Sequence, residues 1–131
     1  MTQRETDMPS PEEIRAVMER YAELMCASDA DGIVALYAAD ATVEDPVGGN
    51  VIQGREVIRG FYAATSPNLQ VEITGPICAA GKECAMPMLA ELTMNDQKSY
   101  IDVIDVMAFD DGGKITSMRA FWNPADMRTT R

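Results

Sequence analysis

The spacing of apolar residues is mainly helical in the first half of the chain and mainly alternating in the second half. Helical spacing covers 11–25, a short segment after Asp29, and 55–63, while a brief alternating segment at 41–45 lies between them. Helices that precede a run of strands predict an α+β domain. The later strands are predicted at 69–74, 83–93, 99–109 and 114–122.

Two helix starts are marked by capping residues. Ser10 and Glu13 flank Pro11 in the pattern of a capping box, and Asp29 is a second candidate cap. The apolar stripe of the first helix contains a tyrosine at its centre, and each of the other two helical segments also directs one tyrosine inward. These three tyrosines are Tyr21, Tyr37 and Tyr62.

A chain of 131 residues with 47% apolar residues fits one folded domain. We therefore predict a single domain over residues 1–131, with flexible ends at 1–9 and from about 124 to 131. The net charge of -10 opposes binding to nucleic acid and to an anionic membrane surface.

The chain contains no histidine, which excludes Ser-His-Asp and Cys-His catalysis and histidine metal sites. Proton transfer would then depend on Asp, Glu, Lys, Tyr or Cys, and neither a metal nor a cofactor is predicted. Three cysteines without a C-x-x-C pair indicate no disulfide framework and favour a reducing cytoplasm. The polar N-terminus predicts neither a signal peptide nor a membrane anchor.

One strand aspartate lies in an otherwise apolar pattern. Asp105 shares a strand face with Ile101, Val103, Met107 and Phe109, and the opposite face of the same strand is also apolar enough to be largely buried. A desolvated carboxyl group has a raised pKa and, when protonated, donates a hydrogen bond.

A second aspartate, Asp45, follows Ala41 and Val43 on the inward face of a strand, just before Pro46. An apolar cavity lined by tyrosine hydroxyls and two carboxyl groups suits an apolar ligand with a carbonyl. One aspartate would act as base, and the other, protonated, would stabilise an oxyanion together with a tyrosine.

Simpler explanations exist for each of these residues. In these, Asp45 only begins the turn before Pro46, and Asp102 or Asp105 forms an ion pair with Arg119. The tyrosines, the methionines and Trp122 could be ordinary core residues.

Several stretches of this sequence resemble the bacterial ketosteroid isomerases of the nuclear transport factor two-like superfamily. The resemblance implies a curved mixed sheet shaped like a cone, three helices that close an apolar pocket, and a homodimer. It covers about residues 11–122, through RYAELM around Tyr21, LYAADATVEDP at 36–46, IQGREVIRGFY at 52–62, CAMPM from Cys84, and DVIDVMAFDDGGKITSMRAFW at 102–122.

This resemblance also implies a reaction and its catalytic residues. A β,γ-unsaturated 3-oxosteroid would be converted to the conjugated α,β-unsaturated isomer through a dienolate. Asp45 matches the general base, Tyr21 the oxyanion-hole phenol, and Asp105 the protonated oxyanion-hole acid. An alternative is a protein of the same fold that binds a steroid or another apolar small molecule without turnover.

Further positions are matched by the same resemblance. Tyr37 and Tyr62 match tyrosines that form hydrogen bonds behind Tyr21, while Met88, Met118 and Trp122 match residues that line the pocket. Related dehydratases generally use a histidine, which this chain lacks. An epoxide hydrolase-like reaction would need an Asp-Arg-Asp relay, for which Arg119 is the candidate arginine.

Overall fold

A computed structural model describes residues 8–131 of the chain. Its three α-helices are α1 (Pro11–Cys26), α2 (Ala30–Val34) and α3 (Arg55–Thr65). The strands are β1 (Tyr37–Glu44), β2 (Val51–Gln53), β3 (Leu69–Ile73), β4 (Cys78–Ala80), β5 (Glu83–Met94), β6 (Gln97–Phe109) and β7 (Ile115–Phe121). Of the predicted flexible start at 1–9, only Met8 and Pro9 lie within the described residues.

The strands form one mixed sheet in the order β2-β1-β7-β6-β5-β3, with β4 beside β5. β1 and β7 are parallel, and the other neighbouring strands are antiparallel. α1 packs on β3, β4 and β5, while α3 packs on β1, β2 and α2. The predicted α+β class is confirmed.

Both predicted helix starts are present. The Ser10 hydroxyl accepts a hydrogen bond from the Glu13 amide at 3.1 Å, and the Ser10 amide donates to the Glu13 carboxylate at 2.9 Å. The Asp29 carboxylate accepts from the Gly32 amide at 2.9 Å. These caps satisfy amides that the first turn of a helix leaves unpaired.

The prediction that Tyr37 lies on a helix is wrong. Tyr37 is the first residue of β1 and pairs with Ile115 of β7. The carbonyl of Leu36 accepts a hydrogen bond from the Ile115 amide at 2.9 Å, so pairing with β7 extends the backbone here. The Tyr37 side chain is nevertheless buried, as predicted.

The two faces of β6 differ more than the sequence predicted. The face that carries Asp105 is buried, as expected, but Asp102 and Ile104 on the opposite face are exposed, and Ile104 is 47% exposed. That face is uncovered because the described helices pack on the other side of the sheet.

The ion pair between Arg119 and Asp102 or Asp105, considered as an alternative explanation of these aspartates, is absent from the described residues. Arg119 instead forms a salt bridge with Glu44 at 3.0 Å, and Asp102 forms one with Arg128 at 3.1 Å. Arg119 and Asp105 belong to opposite faces of the sheet, since one side chain is exposed and the other is buried.

The end of the chain follows β7 with a short 3-10 helix at Pro124–Asp126. Arg128 then pairs with Tyr100 of β6 through two backbone hydrogen bonds of 2.7 and 2.9 Å. The flexibility of residues 124–131 stays a prediction.

The three cysteines are unpaired. Between residues 8 and 131, the helices are all too short or too polar to cross a membrane.

Candidate active site

A cavity of about 400 Å³ lies between α1, α3 and the inner face of the sheet. This volume is within the range of small-molecule binding sites. Its wall is mostly apolar, and its ionisable or hydrogen-bonding side chains include Tyr21, Asp45, Tyr62, Asp105 and Trp122. The structure thus brings the three predicted catalytic residues to one cavity.

Asp105 lies on the inward face of β6 and is 2% exposed. Burial raises the pKa of its carboxyl group well above the usual value, the nearby charge of Asp45 raises it further, and a hydrogen bond with Tyr21 lowers it in part. This shift favours the protonated form of the Asp105 carboxyl group, which has an O–H able to donate a hydrogen bond into the cavity.

Asp45 lies just beyond β1 and is only partly buried. The indole N–H of Trp122 donates a hydrogen bond to its carboxylate at 2.6 Å. Burial raises the pKa of Asp45 above its usual value, and the Trp122 hydrogen bond offsets only part of this rise. β1 and β7 run parallel side by side, so the residues that follow their ends, Asp45 and Trp122, lie together.

Three buried tyrosines form a chain of hydroxyl groups that leads to the cavity. The hydroxyl oxygens of Tyr37 and Tyr62 lie 2.6 Å apart, and those of Tyr62 and Tyr21 lie 2.9 Å apart. Burial raises the pKa of each of the three phenols well above its usual value. The hydroxyls therefore stay protonated at neutral pH, and Tyr21 can donate into the cavity.

Tyr62→Phe is expected to lower the free energy of unfolding by about 1–3 kcal/mol, because the buried hydroxyls of Tyr21 and Tyr37 both lose a partner. Urea denaturation followed by circular dichroism measures this difference. Tyr100→Phe is the matched control, since Tyr100 is only partly buried and its hydroxyl is not part of this hydrogen-bonded chain. Equal stability of Tyr62→Phe and wild type would contradict a stabilising role for the chain.

The residues predicted to line the pocket differ in their placement. Met88 and Trp122 lie on the cavity wall. Met118 does not, contrary to the prediction. It is 1% exposed and lies between Val43 of β1 and Met107 of β6 in the sheet register, so neighbouring core side chains surround it.

Other residues on the cavity wall were not predicted from the sequence, among them Met25, Phe61, Leu69 and Met127. The apolar stripes of α1 and α3 contain Met25 and Phe61, so helical periodicity could have identified these two. No periodic signal marks Met127, which follows β7 in a polar segment.

Residues 8–131 contain no cluster of three or more His, Cys, Asp or Glu side chains that could hold a metal ion. Within the same range, no arginine lines the cavity. Arg119, the candidate for an Asp-Arg-Asp relay, is half exposed and paired with Glu44. The described cavity therefore offers two carboxyl groups in different environments and two tyrosines, Tyr21 and Tyr62.

A domain with an α+β fold, an apolar cavity and two inward acids belongs to the class of domains that bind small molecules or catalyse their reactions. The profile of the SnoaL-like domain matches residues 18–118, and the chain belongs to this family, whose fold is that of the nuclear transport factor two-like proteins. The fold and the resemblance predicted from the sequence are confirmed.

Two relatives cover nearly the whole chain. A steroid Delta-isomerase of Nocardioides simplex is 40% identical over 119 residues, which are 90% of this chain and 96% of that protein. A solved structure of the epoxide hydrolase/cyclase-like enzyme SalBIII, described for its role in pyran ring formation in polyether salinomycin, has a TM-score of 0.85 and 30% identity. It covers 91% of this chain and 97% of its own.

Proposed function

We propose that the protein is a steroid Δ-isomerase that converts β,γ-unsaturated 3-oxosteroids to conjugated α,β-unsaturated 3-oxosteroids. The observation that carries this proposal is the pair of carboxyl groups, Asp45 and Asp105, which face one apolar cavity from different environments. The similarity to a steroid Delta-isomerase supports the same activity. The reaction needs neither a metal nor a cofactor.

In the proposed mechanism, the ionised Asp45 removes the acidic proton between the ketone and the alkene. The electron pair of the broken C–H bond enters the conjugated system, and the negative charge develops on the carbonyl oxygen of a dienolate. Hydrogen bonds from Tyr21 and from protonated Asp105 stabilise that oxygen. Asp45 then returns the proton at the far end of the dienolate, so one base serves both transfers.

The similarity to SalBIII raises epoxide chemistry as a second reaction type for this fold. An Asp-Arg-Asp relay would place an arginine between the two acids. Among the described residues Arg119 pairs with Glu44 on the other face of the sheet, and the cavity wall has no arginine. These observations favour proton transfer over epoxide opening.

The proposal is tested by mixing purified protein with androst-5-ene-3,17-dione in a stopped-flow spectrophotometer. Rapid growth of the ultraviolet absorbance of the conjugated enone is expected. Tight binding of the steroid phenol equilenin without enone formation would indicate a binding protein instead. If the protein neither bound equilenin nor formed the enone, the proposed ligand class would be wrong.

The rate constant kcat/KM is expected to rise with pH as Asp45 loses its proton and to fall at higher pH as Asp105 ionises. Trp122→Phe removes an N–H that lowers the Asp45 pKa, so the acid limb is expected to move to higher pH. A pH–rate profile of both proteins measures this shift. An acid limb at the same pH in the variant would show that Trp122 does not stabilise the Asp45 carboxylate.

We also propose that the protein works in a reducing cytoplasm. We propose further that two copies associate there through the outer face of the sheet. Ile104 and Phe121 are neighbours across β6 and β7, and they are 47% and 42% exposed, which is high for large apolar side chains. Sedimentation equilibrium is expected to give twice the mass of one chain for wild type. For Phe121→Lys it is expected to give the mass of a single chain. A monomeric wild type would exclude this pairing.

A further inference from the structure

Residues 124–131, which we call the C-terminal strap, run from the catalytic end of the cavity to a distant part of β6. The strap begins two residues after Trp122, whose indole binds Asp45. It reaches β6 at Arg128, where two backbone hydrogen bonds join it to Tyr100.

Two ion pairs also attach the strap to the sheet. Arg128 binds Asp102 of β6 at 3.1 Å, and Arg131 binds Glu72 of β3. The Asp102 and Glu72 carboxylates are exposed, so each pair contributes little by itself. The backbone pairing with Tyr100 therefore fixes the position of the strap.

This attachment gives Met127 a defined place in the cavity wall. Met127 lines the cavity together with Ile101, and the two residues adjoin the bridged pair Arg128 and Tyr100. Ile101 lies four positions before Asp105 along β6, which is roughly 13 Å at the usual rise of a strand. Met127 thus lies at the end of the cavity remote from Asp105.

We infer that Met127 determines specificity for the length of the substrate, by contacting the rings farthest from the carbonyl group. This inference rests on the proposed function, because it takes the carbonyl end to lie at Tyr21 and Asp105. A flexible thioether side chain adapts to irregular apolar shapes. Met127 is 38% exposed without a ligand, so a long apolar ligand would remove much of its remaining surface from water.

The test compares two phenols that present the same naphthol ring system to Tyr21 and Asp105. Equilenin has four rings, and 2-naphthol has two and is too short to reach Met127. Met127→Ala is expected to weaken equilenin binding about 5- to 20-fold, by loss of apolar contact, and to leave 2-naphthol binding unchanged. Isothermal titration calorimetry measures both dissociation constants without any need for turnover.

Two further variants serve as controls. Met8→Ala is matched to Met127→Ala, because Met8 is 37% exposed and does not line this cavity, and it is expected to bind both phenols like wild type. Met127→Leu keeps an apolar side chain of similar volume and is expected to recover most of the equilenin affinity.

Each other result has a distinct meaning. Equal weakening of both phenols, or no weakening of either, would overturn the role of Met127 while leaving the isomerase proposal intact. Binding of both phenols without enone formation would overturn the isomerase proposal, and the ratio of affinities would still decide the role of Met127. Failure of wild type to bind equilenin would overturn the role of Met127, and failure to form the enone as well would overturn the isomerase proposal.

Discussion

Asp45→Asn is expected to reduce kcat by at least about 10³–10⁴-fold, because an amide cannot accept the proton from carbon. Among the described residues, the other carboxyl group on the cavity wall is Asp105, whose raised pKa favours the protonated form, which cannot accept the proton. No second base is therefore available to replace Asp45. Stopped-flow measurement of enone absorbance under single-turnover conditions gives this rate directly.

Asp40→Asn is the matched control for this variant. Asp40 also lies on β1, but its side chain is exposed, so the same substitution there is expected to leave the rate unchanged. Binding of equilenin by Asp45→Asn would show that the cavity is intact. Near wild-type turnover by Asp45→Asn would exclude Asp45 as the base.

Asp105→Leu is expected to reduce kcat by about 10²–10³-fold, the usual effect of removing one oxyanion donor. Tyr21 still donates in this variant, which is why the expected loss is smaller than for Asp45→Asn. Asp105→Asn keeps an N–H donor at the same place and is expected to lose less activity than Asp105→Leu. Comparison of kcat for the two variants separates loss of the donor from loss of packing.

The protonation state of Asp105 can be measured without substrate, by infrared titration of its carboxyl band. Because the folded-state pKa is raised, the folded protein binds a proton more tightly than the unfolded chain does. The unfolding free energy should therefore decrease as pH rises from about 3.9, the ordinary value for Asp, towards the folded pKa. Asp105→Asn should remove this contribution. An ionised Asp105 at neutral pH would exclude its role as oxyanion donor.

The similarity to both an isomerase and a cyclase-like enzyme is consistent with a fold that provides a cavity and leaves the chemistry to a few side chains. The side chains that would distinguish the two reactions are the acids and any arginine between them. In this chain Arg119 is placed on the outer face of the sheet, where Glu44 binds it. The outward orientation of Arg119 on β7 therefore supports the proposal of proton transfer over that of epoxide opening.

Much of the fold and part of the site follow from local sequence. The capping box at Ser10 arises from residues three positions apart, and the inward placement of Asp105 follows from the two-residue period of a strand. The inward direction of Asp45 has the same origin. Such features involve neighbours in the chain, so their physical causes are visible in the sequence.

Other features were decided only by contacts between distant segments. Tyr37 is extended because β7 pairs with it, and Met118 is removed from the cavity wall because β1 and β6 enclose it. Met127 reaches the cavity because Arg128 pairs with Tyr100, 28 positions earlier in the chain. Sequence periodicity specifies which side of an element faces inward, but the pairing of strands and of the C-terminal strap determines which inward side chains meet in one cavity.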